Sequence, residues 1–420
     1  MRMRPVLWSV AIQASGSAAT LATALIISSQ MGLAAQGEFG LLRSWNDAFV
    51  ALAVLGLPQG LLHLQYRAAV PIAALCAWVD RYVGVLFAIA AIVAGAAGAL
   101  LVAGLDPLQL GPPTLRTIAV MAAAVPLAAA HLLWRSLTLR HVGVVPYAAV
   151  TAAPSLLVLV GMVLVYRWGG TGAFAWVLFI AAVLTAIASR RLAGRAAQRS
   201  ESDDTACAGA TGWSRRTLWS ISFETGVQSV LTALSPALML STAGWLGASL
   251  TQIGVVSLGL HVYQLFGVAA AYVAPMVYDR AARAAQPPGS AQLISWLGER
   301  VGPRMWVASG VGAPLSLSLI WWLWPAGTDS RLLLSTMAAA GALSMVVRLL
   351  ITLMLARGAF RPLTFQAVAR VIASTVGTAF LMQWWPATVA LPTTLVATEL
   401  FLLAWLWRQI HDGEAERSVP

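Results

Sequence analysis

The chain has 420 residues, of which 59% are hydrophobic and only 10% charged, with a formal charge of +11. A water-soluble domain carries about 25% charged residues, so this chain lacks the polar surface to cover a globule in water. The basic excess does not point to nucleic acid either, because the arginines fall mostly singly or in pairs between apolar stretches, and lysine is absent.

Apolar runs of about 20 residues, each long enough to cross the hydrocarbon core as a helix, recur along the chain. Spans are predicted near 6–31, 41–62, 82–104, 115–137, 147–166, 172–188, 217–240, 255–277, 305–324, 332–355, 362–384 and 387–407. Their Ala, Leu, Val and Gly content without strict alternation favours helices over a barrel. The expected fold class is an all-α membrane protein of about twelve transmembrane helices. Met1-Arg2-Met3-Arg4 and the apolar stretch from Val6 resemble the start of a signal peptide. The run continues to about Met31 without a cleavage site, which predicts a retained first span. Cys76 and Cys207 lie far apart without metal-ligand spacing, and nothing requires them to form a disulfide.

An even number of spans puts both termini on one side. Arginines at Arg2, Arg4, Arg67, Arg81, Arg135 and Arg140, the cluster from Arg190 to Arg216, Arg280, Arg283, Arg300, Arg304, Arg357, Arg361, Arg408 and Arg417 share that side, whereas Arg116, Arg167 and Arg331 lie opposite. The bias is roughly six to one, and the positive-inside rule then predicts cytoplasmic termini and a bacterial inner-membrane location. Tryptophans such as Trp8, Trp134, Trp306 and Trp407 fall near span ends, as an interfacial aromatic belt requires.

The longest polar stretch, Arg190–Arg216, contains Glu201-Ser202-Asp203-Asp204 and reads as a flexible cytoplasmic linker. It divides the chain into six-helix bundles at 1–189 and 217–407, with a cytoplasmic tail at 408–420. An internal repeat is faintly visible. Ala34-Ala35-Gln36-Gly37-Glu38-Phe39-Gly40 aligns with Ala248-Ser249-Leu250-Thr251-Gln252-Ile253-Gly254, and Tyr66-Arg67 is echoed by Tyr278-Asp279-Arg280. Halves of like topology imply an axis along the membrane normal.

A first span, a short external loop holding Glu38-Phe39-Gly40, then a span closing with Gly56-Leu57-Pro58-Gln59-Gly60 and Tyr66-Arg67 resembles the polysaccharide-biosynthesis flippases. These are the Wzx-type translocases of the multidrug/oligosaccharidyl-lipid/polysaccharide exporter superfamily. The detailed match covers about the first 70 residues, and the repeat and span plan extend it loosely over the rest. The resemblance implies two six-helix bundles around a central cavity. It also implies alternating-access transfer of an undecaprenyl-diphosphate-linked oligosaccharide to the periplasmic leaflet, for surface polysaccharide synthesis. Possible partners are a coupling ion, H+ or Na+, and glycan polymerases; no cofactor is implied.

Ionisable residues inside spans each cost about 2.5–3.5 kcal/mol near a helix centre, so they should face protein or water. Arg43, Asn46 and Asp47 share one face of span two, and Ser257, His261 and Gln264 share one face of span eight. Under the repeat, Arg43 maps to Ser257 and Asp47 to His261, as expected if both helices line one aqueous cavity. Gln13, Ser17 and Thr20 in span one, and Glu224, Gln228 and Thr232 in span seven, extend the polar lining. Arg43 lies near the predicted start of its helix, where the macrodipole disfavours a cation. Either Asp47 or an anionic ligand would compensate.

A guanidinium offers forked donors to phosphate oxygens. If the substrate is a lipid diphosphate, Arg43, Arg348 and Arg370 are the candidates for its head group. The plainer alternative pairs Arg43 with Asp47, and Arg348 or Arg370 with neighbours or Glu399. Glu224 and Glu399 are the candidate coupling carboxylates, although either would also serve as a hydrogen-bonded structural group. His261 is more simply a satisfied bundle residue than a titrating switch.

Three functions remain open: a lipid-linked oligosaccharide flippase, a cation-coupled small-molecule or drug exporter of the same superfamily, and a membrane-embedded oligosaccharide polymerase or ligase. The exporter would favour acidic cavity residues. The polymerase needs a sizeable external loop, yet the external loops near 105–114 and 241–254 are short and offer only Asp106 as an ionisable group. No phosphate-binding loop, zinc-ligand spacing or nucleophile elbow occurs, so no catalytic or metal-binding residue is predicted.

Overall fold

The computed structural model describes residues 3–67, 70–103, 112–165, 172–203, 215–283, 328–356 and 360–415. The described residues form helices α1 (Met3–Gln30), α2 (Leu33–Val54), α3 (Leu57–Arg67), α4 (Ile72–Ala103), α5 (Pro112–Ser136), α6 (Leu139–Val142), α7 (Val144–Val165), α8 (Ala173–Asp203), α9 (Arg215–Trp245), α10 (Leu250–Arg283), α11 (Thr328–Ala356), α12 (Phe360–Leu381) and α13 (Ala387–Ala415), without a strand among them. Nine are long and apolar enough to cross a membrane, which makes this a multi-pass all-α membrane protein. The span expected at 305–324 lies outside the described residues.

Three boundaries differ from expectation. First, α2 starts at Leu33 and not near 41, so the segment read as an external loop is helical and Arg43 is its eleventh residue. The macrodipole acts within the first turn and therefore does not bear on Arg43. Second, α4 starts at Ile72, which puts Arg81 inside a helix. Third, α8 continues to Asp203, so Arg190, Arg191, Arg195 and Arg199 are helical. The Ala, Leu and Arg content of Arg190–Arg199 has high helix propensity, which outweighs its polarity.

Span two is also interrupted. Leu55 (φ +37°) and Gly56 (φ +71°) break the helix between α2 and α3. A Cβ on Gly56 would meet the backbone of Ser222 and Gly226 on α9, and one on Gly226 would meet the backbone of Leu55 and Gly56. The Gly-Leu-Pro-Gln-Gly motif thus supplies a left-handed residue and a backbone approach that only glycine permits.

The chain divides into two compact units: Met1–Met31 with Leu42–Leu234, and Gly32–Leu41 with Ser235–Pro420. In the first, α1 packs along α7 with Gly16 against Ala152, and α5 packs against α4 and α8. Leu57, Leu61, Leu75, Val79, Leu133 and Leu137 form its buried centre. In the second, α10 packs on α11, and α13 lies against α11 and α12.

The first residues of α2 belong to that second unit. A Cβ on Gly37 would strike the Leu250 carbonyl, one on Gly254 the Leu33 carbonyl, and one on Gly40 the Ser257 hydroxyl. Small residues let two membrane helices approach this closely. The contacts pair Gly37 with Gly254 and Gly40 with Ser257.

Candidate functional site

In the first unit, Arg43 is the centre of a polar group built from α1, α2 and α7. Its Nη2 donates to Thr20 Oγ1 at 3.5 Å, and Thr20 Oγ1 donates to Ser155 Oγ at 3.0 Å. Asp47, one turn on, lies 4.0 Å from Arg43 Nε, with its side chain 61% exposed against 21% for the arginine. Arg43 Nη1 and Asn46 Oδ1 are buried without a hydrogen-bond partner among the described residues. This guanidinium is loosely held, with donor capacity left over. Gln13 and Ser17 are half-buried on α1, where the Ser17 hydroxyl reaches the Gln13 carbonyl at 3.5 Å. Gln228 is half-buried on α9. The side chain of Glu224 lies outside the described ones.

In the second unit, Arg370 on α12 and Glu399 on α13 form a buried ion pair, Nη2 to Oε2 at 3.0 Å. Tyr263 on α10 donates its hydroxyl to Glu399 Oε1 at 2.5 Å and accepts a 3.4 Å contact from Arg370 Nη1. Both carboxylate oxygens are therefore engaged, while Arg370 Nε is buried without a partner. Arg348 on α11 is half-buried and within electrostatic reach of Tyr263. Arg370 and Tyr263 thus close around the Glu399 carboxylate.

The predicted polar face of span eight divides. Ser257 is buried and accepts a hydrogen bond from Gln36 Nε2 at 3.2 Å, inside the α2–α10 crossing. His261 is buried, whereas Gln264 is exposed. Sequence reasoning anticipated Arg370 and Glu399 and left their pairing open; it missed Tyr263, whose only signal was a hydroxyl-bearing aromatic in an apolar span. It also missed Ser155, the partner that anchors Thr20. Among the described residues no group of His, Cys, Asp or Glu could hold a metal ion.

No protein-family model matches the sequence, and no curated protein matches it. The fold does have solved counterparts. An inward-facing multidrug-resistance MATE-family transporter of the MOP superfamily superposes with a TM-score of 0.63 at 10% identity, over 99% of this chain and 100% of the neighbour. The lipid II flippase MurJ in an inward closed conformation gives 0.66 at 12% identity, over 97% of this chain and 87% of its own. A MOP-superfamily transporter from Pyrococcus furiosus, described by the reverse polarity of its binding pocket, gives 0.54 at 10% identity, over 97% and 95%. The chain has the fold of the MOP-superfamily transporters.

Proposed function

We propose that the chain is a transporter that moves an undecaprenyl-diphosphate-linked oligosaccharide from the cytoplasmic to the periplasmic leaflet by alternating access, for surface polysaccharide synthesis. One observation carries this reading: among the described residues, guanidinium groups within the spans exceed the carboxylates that pair with them. Among the described residues Arg370 pairs with Glu399, Arg348 has no ion-pair carboxylate, and Arg43 keeps a buried donor free beside a mostly exposed Asp47. Such an excess suits a diphosphate, whose oxygens accept forked, charge-assisted hydrogen bonds. A fold shared with a lipid flippase supports a lipid-linked substrate.

Export of small cationic compounds is the second reading, favoured by the fold shared with a multidrug-resistance transporter. The two part in reconstituted vesicles. A fluorescent polyprenyl-diphosphate oligosaccharide should become protected from an impermeant reductant when the protein is present. Absence of that transfer, together with efflux of a cationic dye, would replace the flippase reading with the exporter.

A further inference from the structure

A second feature lies on α4. Trp78, Arg81, Tyr82 and Val85 fall at i, i+3, i+4 and i+7 and so share one helical face. The Trp78 and Tyr82 rings stack with centroids 5.4 Å apart and 7° between planes. Trp219 of α9 meets them edge-on at 6.4 and 6.1 Å. These four residues and Trp219 line a recess of about 230 Å³. Its back is fixed, because the Tyr82 hydroxyl donates to the Ala53 carbonyl at 2.6 Å.

The one polar tip that Tyr82 could offer is thereby occupied, which leaves Arg81 as the recess's only charged group among the described residues. Its neighbour Asp80 is held by Arg190, Nη2 to Oδ2 at 3.0 Å, and by the Trp134 indole at 3.1 Å. Among the described residues Arg81 has no ion-pair partner. Beyond it, Val83–Ala103 carries no charge and is long enough to cross the hydrocarbon core. Arg81 therefore borders this uncharged stretch, on the apolar span Ile72–Leu100, and its long side chain can carry the guanidinium toward the headgroups.

A glycan would leave its hydroxyls without partners against such walls, and burying unpaired hydroxyls is costly. An acyl chain fits the walls, and a phosphate fits the cation at their edge. We propose that this recess holds one anionic membrane phospholipid, with its phosphate on Arg81 and an acyl chain against Trp78, Tyr82 and Trp219. The inference does not depend on what the protein transports.

Native mass spectrometry of the full chain, released from micelles containing equal phosphatidylglycerol and phosphatidylcholine, tests it. Wild-type protein should retain one phosphatidylglycerol in preference to phosphatidylcholine by about five-fold, the effect of one basic residue near an anionic surface. Arg81→Ala should lose that preference and Arg81→Lys keep it. Trp219→Ala should lower retention of both lipids while the protein still runs as a folded species by gel filtration. Equal retention of the two lipids by wild type, or an Arg81→Ala preference unchanged from wild type, would overturn the proposal. So would displacement of phosphatidylglycerol by stoichiometric undecaprenyl phosphate, which would make the recess a substrate-lipid site.

Discussion

Arg370 and Glu399 meet at 3.0 Å from adjacent helices, with only 8% and 1% of their side chains exposed. Desolvation offsets much of the attraction in such a pair, yet removing one partner strands a buried charge at a cost of about 3–5 kcal/mol. Arg370→Ala and Glu399→Ala should each lower thermal stability in detergent by that order, while Arg370→Met combined with Glu399→Leu should recover most of it. The double variant also separates two roles. Normal protein level without glycan display would give the pair a part in transport, and full display would make it structural only.

Arg43 predicts the opposite balance. Its contact with Asp47 is long and largely exposed, and exposed pairs contribute about 0–1 kcal/mol. Arg43→Ala should leave the melting temperature nearly unchanged and abolish glycan translocation in a complementation assay. Arg43→Lys keeps the charge without the planar fork and should give intermediate activity. Full display by Arg43→Ala at normal protein level would remove this residue from the site.

Gly254 predicts a packing defect. A Cβ there would overlap the Leu33 carbonyl and crowd the Gly37 amide, both backbone atoms that cannot swing away. Overpacking costs about 1–3 kcal/mol, so Gly254→Ala should lower the thermal midpoint and Gly254→Val should lower it further. Gly244→Ala, where the nearest neighbour is the Ile253 side chain at 3.5 Å, is the matched control and should melt like wild type.

Gly56 combines two constraints, a left-handed backbone (φ +71°) and contact with Gly226. Left-handed backbone costs an L-residue about 1–2 kcal/mol before any clash is counted. Gly56→Ala should therefore destabilise more than Gly60→Ala, whose nearest obstacles are the Ser222 hydroxyl and the end of the Leu218 side chain. Parallel melting curves of the two variants check the order.

Helix number and character were readable because apolar length is a strong signal. Local starts were not. Ala-Ala-Gln-Gly-Glu-Phe-Gly has the glycines and charge of a loop in water, yet here Gly37 and Gly40 form the flat side of a helix crossing. A residue type that breaks helices in one solvent joins them in another. For Arg370 and Glu399 the chemistry was visible, but their partnership depends on α12 and α13 lying side by side across the turn at Gln383–Trp385, which no spacing rule encodes.

The grouping of Gly32–Leu41 with residues beyond Ser235 has a consequence for biogenesis. The ribosome delivers the Gly37 face into the bilayer long before Gly254 exists. At about 5–20 residues per second that partner follows roughly 10–40 seconds later. Throughout that interval a grooved surface built for another helix is bordered by lipid, so an insertase or chaperone that shelters nascent spans would act on this segment first.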